Sequence, residues 1–272
     1  MVMLARSSHF QVQSSYAQIF KGLSLDELWS HPKLQLFKSK RTREILTLEL
    51  DKNIFFVKRY YGPGSGVLKY LLRGFRDKHG PENEWQKAHF LAELGIKAVE
   101  PVAFGIERRY GIISRAILIT LKLKGYRLED LLGERTDLDR KRSLVEKLAA
   151  FAGHFHTSGF SHQDFYLCHL FWSQESEEVI LVDLQRIRYY RGQNRQPRMR
   201  WVVKDLAQLD YSARKVLDSA EYNHLKRTFL SVYKQYLPLI AESTIVKKIQ
   251  KKVARISRHD QKLQAREIAR TK

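Results

Sequence analysis

The strongest constraint on the fold is a change of hydrophobic period partway along the chain. Ile45 to Leu50 and Ile54 to Arg59 alternate apolar and polar residues, and Asp51-Lys52-Asn53 between them is turn chemistry, so a β-hairpin is expected. Lys58 falls near the end of its second strand. Gly62-Pro63-Gly64-Ser65-Gly66 breaks the pattern. Leu68, Leu71, Leu72 and Phe75 then recur at helical spacing while Lys69, Arg73 and Arg76 form a second stripe, which predicts a short basic amphipathic helix. A further helix is expected from Glu82 to Leu94, stopped by Gly95, and VEPVAFG and AILITLKL read as strands after it. From Asp139 onward helical spacing takes over: Leu144, Leu148, Phe151 and Phe155 mark a core helix that ends at Gly159. Past that point VILVDL, Val179 to Leu184, reads as a buried strand, and the remainder reads as helical. Strands and one helix therefore precede a mainly helical half, an α+β arrangement.

A chain of 272 residues can form one bilobed domain or two smaller ones, and a 43% apolar fraction excludes wholesale disorder. Forty-nine Lys and Arg against 29 Asp and Glu give a net charge of +20, more than solubility requires, so an anionic partner is expected. Nucleic acid, a phosphorylated small molecule and an anionic membrane face all qualify; an acidic protein is compatible with the charge but not specified by it. No RNA-recognition, OB or helix-turn-helix signature occurs and the charge is spread along the chain, which argues against specific nucleic-acid binding. The single cysteine cannot form an internal disulfide and fits a reducing compartment. The first thirty residues lack a signal-peptide core and no later run reaches the length of a membrane span, so a cytoplasmic location is expected, with peripheral membrane contact open. Residues 244–272 carry ten Lys and Arg against two acidic residues, with Ile245, Ile249, Val253 and Ile256 as an apolar stripe. Packing on a helical lobe and contact with a membrane are equal readings of that stripe.

Chemistry concentrates in GFSHQDFYLCHLFW, Gly159 to Trp172. His154, His156, His162, Cys168 and His169 are zinc-ligand types, but a single Cys and the lack of a second paired cluster argue against a closed zinc site. A Cys168–His169 nucleophilic pair is also disfavoured, because neighbours in an extended segment point to opposite faces. A third reading uses the flanks. A helix, then His162-Gln163-Asp164, then a strand ending at Asp183 resembles the core of protein-kinase-like phosphotransferases, with Lys58 on a strand and Glu84 opening the next helix upstream. Phosphoryl transfer needs positioning and charge neutralisation, which these types supply: Lys58 for phosphates, Glu84 to hold Lys58, Asp183 for magnesium, and Asp164 to take the acceptor's proton. Taken singly, the plainer readings are favoured: Lys58 as an ordinary strand lysine, Glu84 as a helix N-terminal acid and Asp183 as a turn residue. Their joint order favours the kinase reading.

HQDFYLCH, VILVDLQRIR, KDLAQL and the upstream FFVKRY and ENEWQKAHFLAELGI resemble the lipopolysaccharide core kinase (Kdo/WaaP-type) family over roughly Thr42 to Asp210. The resemblance implies a bilobed protein-kinase-like fold: a small N-terminal β-sheet lobe with helix C (residues 1–121) and a larger, mainly helical C-terminal lobe (residues 122–272). It implies ATP- and Mg2+-dependent phosphorylation of a lipopolysaccharide inner-core sugar, heptose first and Kdo as the alternative, on an anionic glycolipid at the inner membrane's cytoplasmic face. By this resemblance Lys58, Glu84, Thr120, Leu121 and Leu123 bind the nucleotide and Asp164, with His162, forms the catalytic loop. Asp183 binds magnesium, with His169 in the position of a second ligand. Arg186 and Arg188 meet an acidic sugar and Asp205 braces the loop. The sequence departs from protein kinases in Gln163, in His169, and in lacking G-x-G-x-x-G before Lys58, where Lys38 to Arg43 reads KSKRTR.

Overall fold

The computed structural model describes residues 6–40, 43–62, 80–190 and 198–271, and the chain divides into two compact units. One unit comprises Met1–Glu93 and Ala98–Lys124, the other Leu94–Lys97 and Gly125–Lys272. Residues 63–79, which hold most of GPGSG and the expected basic amphipathic helix, lie outside the described residues, as do Arg41 and Thr42 of KSKRTR.

The first unit is built on a six-stranded antiparallel sheet of β1 (Ser7–Val12), β2 (Gln35–Lys40), β3 (Arg43–Leu50), β4 (Asn53–Tyr61), β5 (Pro101–Arg109) and β6 (Ile112–Leu121), ordered β1-β5-β6-β4-β3-β2. β3 and β4 form the expected hairpin, with Leu50 opposite Asn53 and a two-residue turn at Asp51 and Lys52. Both turn residues have positive φ, 46° and 61°, the primed geometry that matches the strand twist. Alternation along β4 sends Phe55 and Val57 into a core with Phe20, Leu25, Leu28, Leu48, Ile117 and Ile119. Leu25 and Leu28 come from the short helix α1 (Leu25–Trp29), which Ser24 and Glu27 close in a capping box. The same alternation turns Lys58 to the opposite face. There α2 (Pro81–Glu93) packs Trp85 on Phe104, Ile106, Ala116 and Leu118. Pro81 starts this helix, where its missing N–H costs nothing, and Gly95 at φ 70° follows its end.

The second unit is mainly helical: α3 (Leu128–Gly133), α4 (Leu138–Thr157), α5 (Met199–Val216), α6 (Ser219–Tyr233) and α7 (Ser243–Thr271). Short strands lie among them: β7 (Tyr126–Arg127), β8 (Phe160–Ser161), β9 (Leu170–Ser173), β10 (Glu178–Leu181) and β11 (Arg188–Tyr189). These form an antiparallel sheet β10-β9-β7 and an antiparallel pair β11-β8. The strand expected from Val179 to Leu184 is shorter and stops at Leu181. Asp183 takes the left-handed conformation, φ 57° and ψ 61°, which an extended ladder cannot accommodate, and a 3-10 turn over Leu184–Arg186 follows. The expected core helix is α4, which buries Leu144, Leu148 and Phe155. Of the tail stripe, Ile245 and Val253 are buried where α7 packs on α5, while Leu263 and Ile268 further along are exposed. Among the described residues no helix is long and apolar enough to cross a membrane.

Candidate active site

In the sheet unit, Lys58 sits opposite Ile45 on β3 and Leu118 on β6, so its side chain rises from the α2 face. Its Nζ lies 2.5 Å from Glu84 Oε1, and the Tyr60 hydroxyl donates to Glu84 Oε2 at 3.2 Å. Glu84 is only 2% exposed, so the carboxylate is held by a cation and a hydroxyl out of bulk water, where such a contact is least screened. Thr120 is buried near the end of β6, opposite Phe56, and Leu121 ends that strand; its N–H donates to the Glu100 carbonyl at 3.0 Å. Leu123, beyond the strand, is half-buried.

In the helical unit, the segment after α4 is fixed from α5. The fully buried Asp205 accepts the backbone N–H of His162 on Oδ2 at 2.6 Å and that of Gln163 on Oδ1 at 2.9 Å. His156 of α4 lies 3.4 Å from Asp205 through Nε2 and 2.8 Å from the Tyr233 hydroxyl through Nδ1. Gln208 takes the N–H of Phe165 at 3.0 Å and Ser212 that of Leu167 at 3.1 Å. The Gln163 carbonyl in turn accepts from Lys204 Nζ at 2.5 Å and Gln208 Nε2 at 3.0 Å. Four side chains of one helix, Lys204, Asp205, Gln208 and Ser212, thus satisfy a non-repetitive buried segment. Together they hold Gln163 at φ 73°, a conformation a non-glycine residue adopts only where its surroundings impose it.

His162 is fully buried, and its Nε2 donates to the Val182 carbonyl at 3.0 Å. Burial pushes its pKa below the usual histidine value, against the pull of Asp205, so the ring is neutral. Asp164, the next acid, is 23% exposed, and Arg186 Nη1 donates to both its carboxylate oxygens at 2.9 Å. Lys204 lies close enough for burial and the Arg186 charge to lower its pKa, while Asp164 and Asp205 pull the other way. Arg188 is exposed on β11, with its guanidinium 4.7 Å from the Trp201 ring centre.

His169 donates through Nδ1 to the Asp164 carbonyl at 2.7 Å, leaving Nε2 towards Asp183, 4.0 Å from Oδ2. Burial disfavours its charge, but contacts with Cys168, the Asp164 carbonyl and Asp183 outweigh that and push its pKa up to about 9. Cys168 and His169 are not in the extended segment expected for them. They belong to a 3-10 turn, Leu167–His169. The backbone N–H of Val182 donates to the His169 carbonyl at 3.0 Å, tying the residue before Asp183 to the end of this loop. The histidines considered as zinc ligands are engaged elsewhere, His154 with the Leu94 carbonyl at 3.3 Å among them. Among the described residues no group of three or more His, Cys, Asp or Glu side chains is arranged to hold a metal. A single partly exposed carboxylate, Asp183, fits magnesium delivered with a nucleotide, since that ion keeps phosphate and water ligands; imidazole suits it poorly.

Sequence reasoning singled out Asp205 and weighed His156 only as a zinc ligand, and it assigned no part to Lys204, Gln208, Ser212 or Tyr233. The signal was available: Lys204, Gln208 and Ser212 recur every four residues, a polar row on a helix that must bury the face carrying it. The pairing of Arg186 with Asp164 has no counterpart in local spacing, since 22 residues separate them. A cavity of about 110 Å³ lies among α3 to α7, lined chiefly by leucines such as Leu148, Leu206 and Leu225, with Asp210, Tyr222 and Lys226 as polar members.

Comparison with known proteins bears on this arrangement. The model of the lipopolysaccharide kinase (Kdo/WaaP) family matches residues 26–233. The lipopolysaccharide core heptose(I) kinase WaaP of Escherichia coli K12 is 29% identical over 192 residues, 66% of this chain and 71% of that one. The enzyme of the same name from Pseudomonas aeruginosa is 31% identical over 210 residues, 73% of this chain and 76% of that one. A solved structure, WaaP in complex with acyl carrier protein, superposes with a TM-score of 0.68 over 91% of this chain and 98% of that chain at 22% identity, so the two share a kinase-like fold. The chain is a phosphotransferase acting on hydroxyl groups, and it belongs to the lipopolysaccharide kinase (Kdo/WaaP) family.

Proposed function

We propose that this kinase transfers the γ-phosphate of ATP to a hydroxyl of an inner-core sugar of lipopolysaccharide, heptose I, with Asp164 as general base. The observation that carries this reading is a partly exposed carboxylate on a backbone locked by Asp205, next to cationic Arg186 and Lys204. A base must reach the proton it takes and must not wander, and this loop meets both needs. The acceptor hydroxyl gives its proton to Asp164. Its oxygen bonds to the γ-phosphorus as the bond to the β–γ bridging oxygen breaks, and ADP leaves with that electron pair. Lys58, held by Glu84, neutralises the non-transferred phosphates, and Thr120 and Leu121 of the N-terminal lobe (residues 1–121), with Leu123 just beyond it, contact the nucleotide base. In the C-terminal lobe (residues 122–272) Asp183 holds magnesium, which supplies charge neutralisation on the phosphates when bound, while His169 braces the loop. Arg186 and Arg188 meet acidic groups of the acceptor.

The relatives named heptose(I) kinases support the acceptor, and the net charge of +20 supports an anionic glycolipid at the cytoplasmic face of a membrane. Exposed Lys247, Lys248, Lys251, Arg255 and Arg258 of α7 suit such a surface, at about 1 kcal/mol for each cation held near it. An acyl carrier protein, the acidic partner in the similar solved structure, suits both the charge and the apolar cavity. Mass spectrometry of core oligosaccharide from cells with and without the protein tests the acceptor. Loss of one phosphate from heptose I is expected; an unchanged heptose, or a phosphate lost from Kdo, would overturn the assignment.

A further inference from the structure

Arg186 is placed to do more than recognise an anion. Its Nη1 bridges both oxygens of Asp164 at 2.9 Å, occupying acceptor positions that an incoming hydroxyl needs. Yet the arginine is 55% exposed and sits at the end of a three-residue turn, so the contact is of the surface type that is readily exchanged for another anion. Nη2 and Nε take no part in the contact with Asp164. Lys204, donating to the adjacent Gln163 carbonyl, adds a second cation beside the same loop, so an anion arriving there meets two positive charges.

From this geometry we infer that Arg186 is a latch on the base, opened by a carboxylate or phosphate of the acceptor itself. With no anion bound, the guanidinium covers Asp164. An acceptor carrying an acidic group beside its reactive hydroxyl draws the guanidinium onto that group and uncovers Asp164 as the hydroxyl arrives. Arg186 stays protonated throughout, and the only proton that moves is the one from acceptor hydroxyl to Asp164. Arg186 is then a positioning residue that acts through Asp164. It makes acidity of the acceptor a requirement for turnover and not merely for binding. The inference rests on the reading of Asp164 as base.

The test compares an inner-core glycolipid acceptor with free Kdo carboxylates and the same acceptor with those carboxylates methyl-esterified, at saturating ATP. If the uncovered arrangement is populated to about 10% without an anion, esterification lowers kcat of the wild type about tenfold, over and above any change in KM. Arg186→Gln is expected to abolish that kcat difference and to turn over the ester faster than the wild type does. Arg186→Lys, which keeps the charge, is expected to restore discrimination in part. Equal kcat of the wild type on both acceptors would overturn the latch, as would undiminished discrimination in Arg186→Gln. An equal loss of kcat on both acceptors in Arg186→Gln would assign the arginine to the donor's phosphate and overturn it too. Asp164→Asn separates the two readings: full activity in that variant sinks the base, whereas an inactive Asp164→Asn beside a non-discriminating wild type sinks the latch alone.

Discussion

Replacing Asp205 by Asn tests how the loop is held. The wild-type carboxylate accepts two backbone N–H groups, His162 at 2.6 Å and Gln163 at 2.9 Å, and Asp205, His162 and Gln163 are all buried from water that could substitute. An amide of the same shape has one accepting oxygen, and its NH2 must face the other N–H. One charge-assisted bond, worth about 1.5–3 kcal/mol, is lost, and the survivor weakens to a neutral bond, so the variant is expected to lose about 3 kcal/mol. For a helical unit of this size that lowers Tm by about 6–12 °C. Displacing Asp164 by as little as 1 Å is expected to reduce kcat about a hundredfold while KM for ATP changes little, because Lys58 and Glu84 are untouched. Differential scanning fluorimetry, amide hydrogen exchange at His162 and Gln163, and steady-state kinetics read these three effects. A Tm within about 2 °C of wild type with unchanged protection at both amides would refute the claim that Asp205 holds the loop.

Other perturbations follow from the same geometry. Glu84→Gln keeps the shape and the Tyr60 contact but removes the partner of Lys58, so kcat/KM for ATP is expected to fall about tenfold or more; an unchanged value would detach this pair from nucleotide binding. Gly153→Ala places a methyl against the Cβ and ring of Tyr236, and overpacking of about 1–3 kcal/mol outweighs the helix-propensity gain of about 1 kcal/mol. The variant should melt below wild type, and a higher Tm would show that Tyr236 yields. In the sheet unit burial opposes ionisation of Glu107, but hydrogen bonds from Arg6, Arg109 and Ser114 outweigh it and hold the carboxyl below the usual range. Because the folded pKa is depressed, the unfolded chain binds more protons, and this stabilisation is present above about pH 4.5 and lost as pH falls through the folded pKa. Glu107→Gln should therefore flatten the acid limb of the stability profile, and an unchanged limb would count against it.

Much of the architecture was legible because it follows from local chemistry. The alternation of β3 and β4 around Asp51 and Lys52 predicts the hairpin, and it also decides which face of the sheet Lys58 takes. Pro81 and Gly95 bracket α2, and that helix carries Glu84 to the same face. The helix leading to Gly159 and the buried strand before Asp183 are likewise written in apolar spacing. What spacing does not carry is backbone conformation imposed from a distance. Gln163 and Asp183 occupy left-handed regions because remote groups hold the loop, so a strand read through to Leu184 in fact stops at Leu181. The zinc-like histidines were ambiguous for the same reason. His156 is a core group satisfied on both ring nitrogens by Tyr233 and Asp205, and His162 is a core group tied through Nε2 to the Val182 carbonyl, partners up to 77 residues away. The latch contact of Arg186 belongs to this class as well.

The central claim is that Asp164 is the base of a lipopolysaccharide core kinase. It is tested most directly by transfer of labelled phosphate from ATP to dephosphorylated inner-core glycolipid, comparing the wild type with Asp164→Asn, a variant that keeps the shape and the backbone contacts of the loop and loses one of the two exposed contacts with Arg186. Label on heptose with wild type, reduced about 10²–10⁴-fold in kcat with Asp164→Asn at unchanged Tm, is the predicted result. Equal transfer by both proteins would contradict it.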